Sequence, residues 1–323
     1  MVVAEEAGEV EEEAVVQVNY YDIVYKYMAT LYTEQSKNVS KTWMLMSVFL
    51  IIVIGLGFVF SRMYSNQNIL YIFVIFSLIM NITSYWYSDK IALSLAKATP
   101  ATRAEYFDFY TIVENLAITA GLPMPKIYVI EDPSPNAFAT GRDKNHSAIV
   151  MTTGLLSIMS KTELEGVVAH EMSHIGNKDM LLSTVAVVLV GFVAIVSDMM
   201  IRMSFFGGNR DDREGNGLFM IIGIVVAILA PIAATLIQLA ISRKREFLAD
   251  ASGSLLTRYP EGLASALEKI SLYGKPMQTQ SNAIAHLYIA NPQGSGNFAK
   301  KVGSLFSTHP PVEERIKKLR GSL

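Results

Sequence analysis

Lys161 to Asp179 read KTELEGVVAHEMSHIGNKD. Thr162 and Glu165 form the pair expected of a capping box, and Leu164, Val167 and Val168 follow at the spacing of an apolar helix face. The pattern predicts an α-helix. His170 and His174 are four residues apart, so they project from one face about one turn from each other and can share a metal ion. Glu171 is rotated off that line but can reach a water on the metal. Lys161, Glu163 and Glu165 before the pair, and Asn177, Lys178 and Asp179 after it, make this an interfacial helix, not one buried in lipid.

His-Glu-x-x-His is the zinc-binding arrangement of metal-dependent proteases. A catalytic zinc site takes three protein ligands and keeps a fourth position for water. The chain has no cysteine and five histidines, so candidates for the third ligand are few. The best is Glu246, in SRKREFLADASGS, with His146, His286 and His309 as the remaining imidazoles. Asp250 lies one helical turn beyond Glu246, placed to hold the distal N–H of a ligand histidine. Such a site hydrolyses peptide bonds with Glu171 as general base. His309, in the Thr-His-Pro-Pro segment, and Arg315 are candidate donors to the developing oxyanion.

Outward from this segment the chain becomes apolar. Residues 42–61, 63–88, 180–197 and 215–242 carry no charge, and each approaches the ~20 residues that a transmembrane helix needs. About four spans are expected, with a kink at Pro231 in the last. Of the 323 residues, 51% are hydrophobic and 17% charged, and the mean hydropathy is +0.33. The absence of cysteine excludes disulfides, thiolate metal sites and cysteine nucleophiles. A net charge of −2 gives no basic footprint for nucleic acid.

The resulting organisation has four parts. Residues 1–41 form an acidic, partly disordered N-terminal extension. Residues 42–88 are the first two transmembrane helices. Residues 89–179 and 243–323 make one polar zinc-protease domain, interrupted by the hairpin of helices three and four at 180–242. An antiparallel hairpin returns Glu246 to the face where His174 was left. Lys37, Lys41, Lys90, Lys97, Arg103 and Arg243 to Arg245 flank the spans on one side, which puts both termini and the polar domain in the cytoplasm. Within that domain KIYVI (126–130) and SAIVMTT (147–153) read as strands, the second as an edge strand that pairs with extended substrates. Asn136 and Phe138, next to a strong turn signal at Asp132 to Asn136, are candidate cleft residues.

The chain resembles the HtpX-type membrane metalloproteases, whose eukaryotic relatives include the CaaX prenyl proteases. The resemblance rests on PNAFATGR (135–142), IVMTTGLLSIM (149–159), HEMSH (170–174), SRKREFLADASG (242–253), AHLYIANP (285–292) and FSTHPPVEERI (306–316), in that order. It implies a membrane α-helical protein with a mainly α, α+β gluzincin-like domain carrying a small sheet. It implies one zinc ion per chain on His170, His174 and Glu246, with Glu171 as the base. The substrates it implies are misfolded or damaged membrane proteins, cleaved at the cytoplasmic membrane in quality control and stress response. Some 40 residues precede the first span, longer than that family's short start. CaaX processing is disfavoured because four spans make too small a chamber, and transport because the spans lack ionisable groups.

Overall fold

The computed structural model describes residues 35–62, 64–206, 243–278, 284–292 and 310–321, with residues 193–206 as helical backbone alone. The acidic stretch, the fourth apolar block with Pro231, and His309 lie outside the described residues.

Two helices, α1 (Gln35–Arg62, 28 residues) and α2 (Gln67–Leu95, 29 residues), are long and apolar enough to cross a membrane. They run antiparallel: the rings of Phe60 and Phe73 lie 5.9 Å apart at one end, and those of Trp43 and Tyr85 5.9 Å apart at the other. The burial of α2 is inverted relative to a water-soluble helix. Ser77, Asn81, Ser84 and Ser88 are buried, while Ile72, Ile75, Ile79 and Ile82 are exposed. Small and polar residues let helices approach closely where the surroundings are as apolar as leucine. Asn81 and Ser84 close onto their own helix, Nδ2 donating to Ser77 O at 3.1 Å and Oγ to Asn81 O at 2.9 Å.

A four-stranded mixed sheet follows, in the order β1 (Thr99–Pro100), β2 (Lys126–Ile130), β4 (His146–Thr152), β3 (Ala137–Asp143). β2 and β4 are parallel, and the other two pairings are antiparallel. The strand at 146–152 is therefore internal, paired on both sides, and the edge belongs to β3 instead. AFATGRD lacks the β-branched run that marks β4, so its sequence reads as a loop. It pairs because the turn at Lys144–Asn145 folds it back along β4, from Ala137 opposite Met151 to Asp143 opposite His146.

A short helix, α4 (Thr153–Ile158), leads from β4 to the zinc-motif helix α5 (Lys161–Gly176). Its capping box is formed by Ser160 and Glu163, two residues before the expected Thr162 and Glu165. Ser160 N–H donates to Glu163 Oε2 at 2.7 Å, and the same carboxylate accepts from Lys269 Nζ at 2.7 Å and Ser265 Oγ at 2.6 Å. That choice fixes the helix start and ties it to a later helix. The later partners are α7 (Arg243–Thr257) and α8 (Pro260–Tyr273), which pack with α3 (Phe107–Ala120) and the sheet around α5. Two glycines permit the approach. A Cβ on Gly166 would lie 2.5 Å from the backbone nitrogen of Leu263, and one on Gly253 would lie 3.0 Å from that of His170. The shared core includes Phe109, Ile112, Val113, Leu164, Val167, Val168, Met172, Leu263 and Leu267.

After α5 the chain turns by 82° into α6 (Asp179–Phe206). Only Asn177 and Lys178 intervene, and Lys178 takes a left-handed φ of 57°. The first half of α6 packs Leu181, Leu182, Val185, Ala186 and Leu189 against Leu45, Met46, Phe49 and Val53 of α1. The C-terminal helix α9 (Val312–Arg320) closes the domain beside α8.

Candidate metal centre

Two turns of α5 and the first turn of α7 supply the site. His170, Glu171 and Glu246 are buried, and His174 is partly so. The two histidines face each other through Nε2 atoms 3.2 Å apart. Glu246 completes a triangle, with Oε1 3.6 Å from His174 Nε2 and Oε2 3.7 Å from His170 Nε2. Ligand atoms from these three residues all lie within 4.8 Å of one another. Bonds of 2.0–2.1 Å in a tetrahedron place neighbouring ligand atoms about 3.3 Å apart. Two imidazole nitrogens and a carboxylate, with its two oxygens divided between them, offer the donor set of a tetrahedral divalent cation with one position left over.

The distal nitrogens are also held. His170 Nδ1 lies 3.0 Å from Asp250 Oδ1. His174 Nδ1 lies 3.1 Å from Asp179 Oδ2. A carboxylate on each Nδ1 fixes the tautomer that keeps a lone pair on Nε2. Asp179 was legible only as a charge bounding the helix. Its distance in sequence, five residues past His174, is no helical spacing, and the 82° turn is what folds it back.

Arg315 comes to this site from α9, fully buried. Its Nε donates to Asp250 Oδ2 at 2.9 Å and its Nη2 to Oδ1 at 2.7 Å, while Nη1 reaches the Ile289 carbonyl at 3.4 Å. Asn136 is placed elsewhere in the sheet. Its Nδ2 donates to Ala290 O at 3.0 Å, and its Oδ1 accepts from Ala290 N–H at 3.2 Å, which pins the start of β3 to the 284–292 segment. Phe138 is buried edge-on against Tyr288. Of the other imidazoles, His146 pairs with Asp143 at 2.9 Å, and His286 lies 3.3 Å from the Ser183 carbonyl.

Burial pushes the Glu171 carboxyl up to about 7, assisted by Glu246 and opposed by His174, Arg315 and the Ala139 N–H that it accepts. Burial alone would lower His174, but Asp179, Glu246 and Glu171 raise it to about 9. His170 is lowered to about 4 by burial, with Asp250 opposing and Arg315 and His174 assisting. Asp250 goes down to about 2, because Arg315 and His170 outweigh the burial that would raise it. A divalent cation between the Nε2 atoms would meet the same negative surroundings.

A buried His-Glu-x-x-His helix joined by a glutamate from a second helix defines a metallopeptidase. Comparison with known proteins agrees. Residues 103–323 match the model of peptidase family M48. The chain is 45% identical over 298 residues to the protease HtpX homolog of Thermoanaerobacter pseudethanolicus, covering 90% of this chain and 97% of that one. It is 44% identical to that of Tropheryma whipplei over 291 residues, covering 90% and 98%. The crystal structure of S. mikatae Ste24p is similar with a TM-score of 0.47 and 19% identity, covering 90% of this chain and 67% of that one. The chain belongs to peptidase family M48, and it is a metalloprotease.

Proposed function

We propose that the protein is a membrane-bound zinc endopeptidase in which His170, His174 and Glu246 hold one zinc ion and Glu171 is the general base. The observation that carries this is the triangle of His170 Nε2, His174 Nε2 and the Glu246 carboxylate, 3.2 to 3.7 Å on a side. Zinc bound there would acidify a water and polarise the scissile carbonyl. Glu171, whose carboxyl burial already drives towards neutral pKa, takes the proton of the attacking water and returns it to the leaving nitrogen. The carboxylate is aimed by the Ala139 N–H on the edge strand β3, so a peptide laid along β3 in extended form passes the base. Asp250 and Asp179 hold the two imidazoles, and Arg315 holds Asp250. His309 remains our candidate oxyanion donor, with Asn136 bracing the strand beside the cleft.

In this reading α1, α2, α6 and the 215–242 block all cross the bilayer, with the protease domain and both termini in the cytoplasm. The excess of Lys and Arg at the ends of the apolar blocks supports that orientation. Polypeptides of misfolded or damaged membrane proteins are the substrates, a reading supported by similarity to the HtpX homologues.

The test uses the full chain in detergent. Casein should be cleaved, and a chelator should stop the cleavage. Glu171→Ala should abolish proteolysis while keeping about one zinc per chain, because it removes the base and no ligand. Glu246→Ala should lose both activity and most of the metal. Zinc lost from the Glu171 variant, or retained in full by an active Glu246 variant, would overturn the assignment.

A further inference from the structure

We propose that Asn38, in the first turn of the membrane helix α1, is a positioning residue of the metal centre, acting through Asp179 on His174. The proposal rests on the zinc-peptidase reading above. Asn38 Nδ2 donates to Asp179 Oδ1 at 2.6 Å, and the other oxygen of that carboxylate, Oδ2, meets His174 Nδ1 at 3.1 Å. His174 Nε2 then faces His170 Nε2. A chain of polar contacts therefore runs from a helix of membrane-spanning length to a candidate ligand atom. Asn38 and Asp179 are 1% and 4% exposed, so water does not compete for these contacts. The same turn of α1 is fixed twice more: Asn38 Nδ2 lies 3.3 Å from Asn177 O, and Gln35 Nε2 donates to Gly176 O at 2.7 Å.

The chemistry gives this contact a direction. An ionised carboxylate only accepts, so the amide must present its NH₂ to Asp179. A buried carboxylate with a single donor would be poorly satisfied and free to rotate. The second donor holds it in the plane that meets His174 Nδ1. The tautomer of His174, and with it the Nε2 lone pair, then depends on Asn38. The other histidine is supported in the same way, since Asp250 on His170 Nδ1 is gripped by Arg315. The two supports differ in origin: one comes from the C-terminal helix α9, the other from Asn38 of α1, 136 residues before His174 in the chain. Apolar contacts of Leu45, Met46, Phe49 and Val53 with α6 hold α1 in place independently of the amide.

The experiment separates positioning from packing. Full-length protein in detergent is compared as wild type, Asn38→Leu, Asp179→Asn, the double variant, and Phe49→Ala. Zinc affinity is measured by competition with a chromophoric chelator, site geometry by the absorption of the cobalt(II)-loaded protein, and kcat and KM at saturating zinc. Asn38→Leu, similar in volume but without the donor, should weaken zinc by roughly 10–100-fold, shift the cobalt bands and lower kcat with KM unchanged. If Asn38 acts through Asp179, adding Asn38→Leu to Asp179→Asn should cost no more than about 2-fold further. Phe49→Ala should lower the melting temperature and leave zinc affinity and the cobalt spectrum unchanged. Should Asn38→Leu fail to accumulate, Asn38→Ala is read by the same criteria. Wild-type zinc affinity in the Asn38 variants, independent effects that multiply in the double variant, or a Phe49 variant matching Asn38→Leu would each overturn the proposal. A wild type that takes up no zinc would instead bring down the metal-site reading, and this inference with it.

Discussion

Arg315 grips both carboxylate oxygens of Asp250 from a position with no exposure to solvent, at 2.9 and 2.7 Å. It is the largest fully buried side chain among the described residues, and its charge is balanced by the carboxylates of Asp250, Glu246 and Glu171. Removing one member of such a pair leaves the other charge buried alone. Arg315→Leu should therefore destabilise the protein by about 3–5 kcal/mol, measured by chemical denaturation of the detergent-solubilised, zinc-free chain. Unchanged stability with a selective fall in kcat would instead make the guanidinium a substrate contact.

Glu163 should make stability depend on pH in a defined window. Burial alone would raise its carboxyl, but bonds from Lys269, Ser265 and Ser160 lower it from 4.5 to about 2. A depressed folded-state pKa contributes stability that is present above the unfolded value and lost as the pH falls through the folded one. The stability gap between wild type and Glu163→Gln should be full above pH 5 and shrink steadily as the pH approaches 2. Urea titrations of the zinc-free proteins across that range check it, and a gap independent of pH would remove Glu163 from this role.

The four spans proposed above predict alternate accessibility. The chain has no cysteine, so single cysteines can be introduced without background. In intact cells a membrane-impermeant thiol reagent should label a cysteine placed among residues 207–216 and spare cysteines at Lys144 and Lys300. Equal labelling of all three positions, with the membrane shown intact, would contradict it.

The facing of His170 and His174 was legible because it depends on local rules. Four-residue spacing puts His170 and His174 on one face, and the same spacing relates Glu246 to Asp250. The apolar blocks of α1 and α2 were legible for a similar reason, since length and lack of charge are properties of a segment read alone. What escaped depends on tertiary placement. Thr162 and Glu165 satisfy the capping pattern as well as Ser160 and Glu163 do, and Lys269 and Ser265, a hundred residues on, decide between them. β3 is edge because of a hairpin turn, not because of its own residues. Asp179 and Asn38 enter the site only through the turn between α5 and α6 and the docking of α1.

The two-residue elbow between α5 and α6 has a consequence for which bonds can be cut. His174 touches Asp179, the first residue of α6, so the metal site stands at a fixed height over the helix we place in the bilayer. An extended chain advances at most about 3.3–3.6 Å per residue. A scissile bond only a few residues beyond a substrate's own membrane anchor can lie at that height directly. A bond inside a folded domain on a longer stalk must first be unravelled and drawn down to it. With the proposed membrane crossing of α6, the elbow would act as a ruler, sorting substrates by the length of free tether between membrane and cleavage point. Lengthening the elbow by a residue or two should move the preferred cut along a tethered substrate before it changes which side chains are tolerated around it.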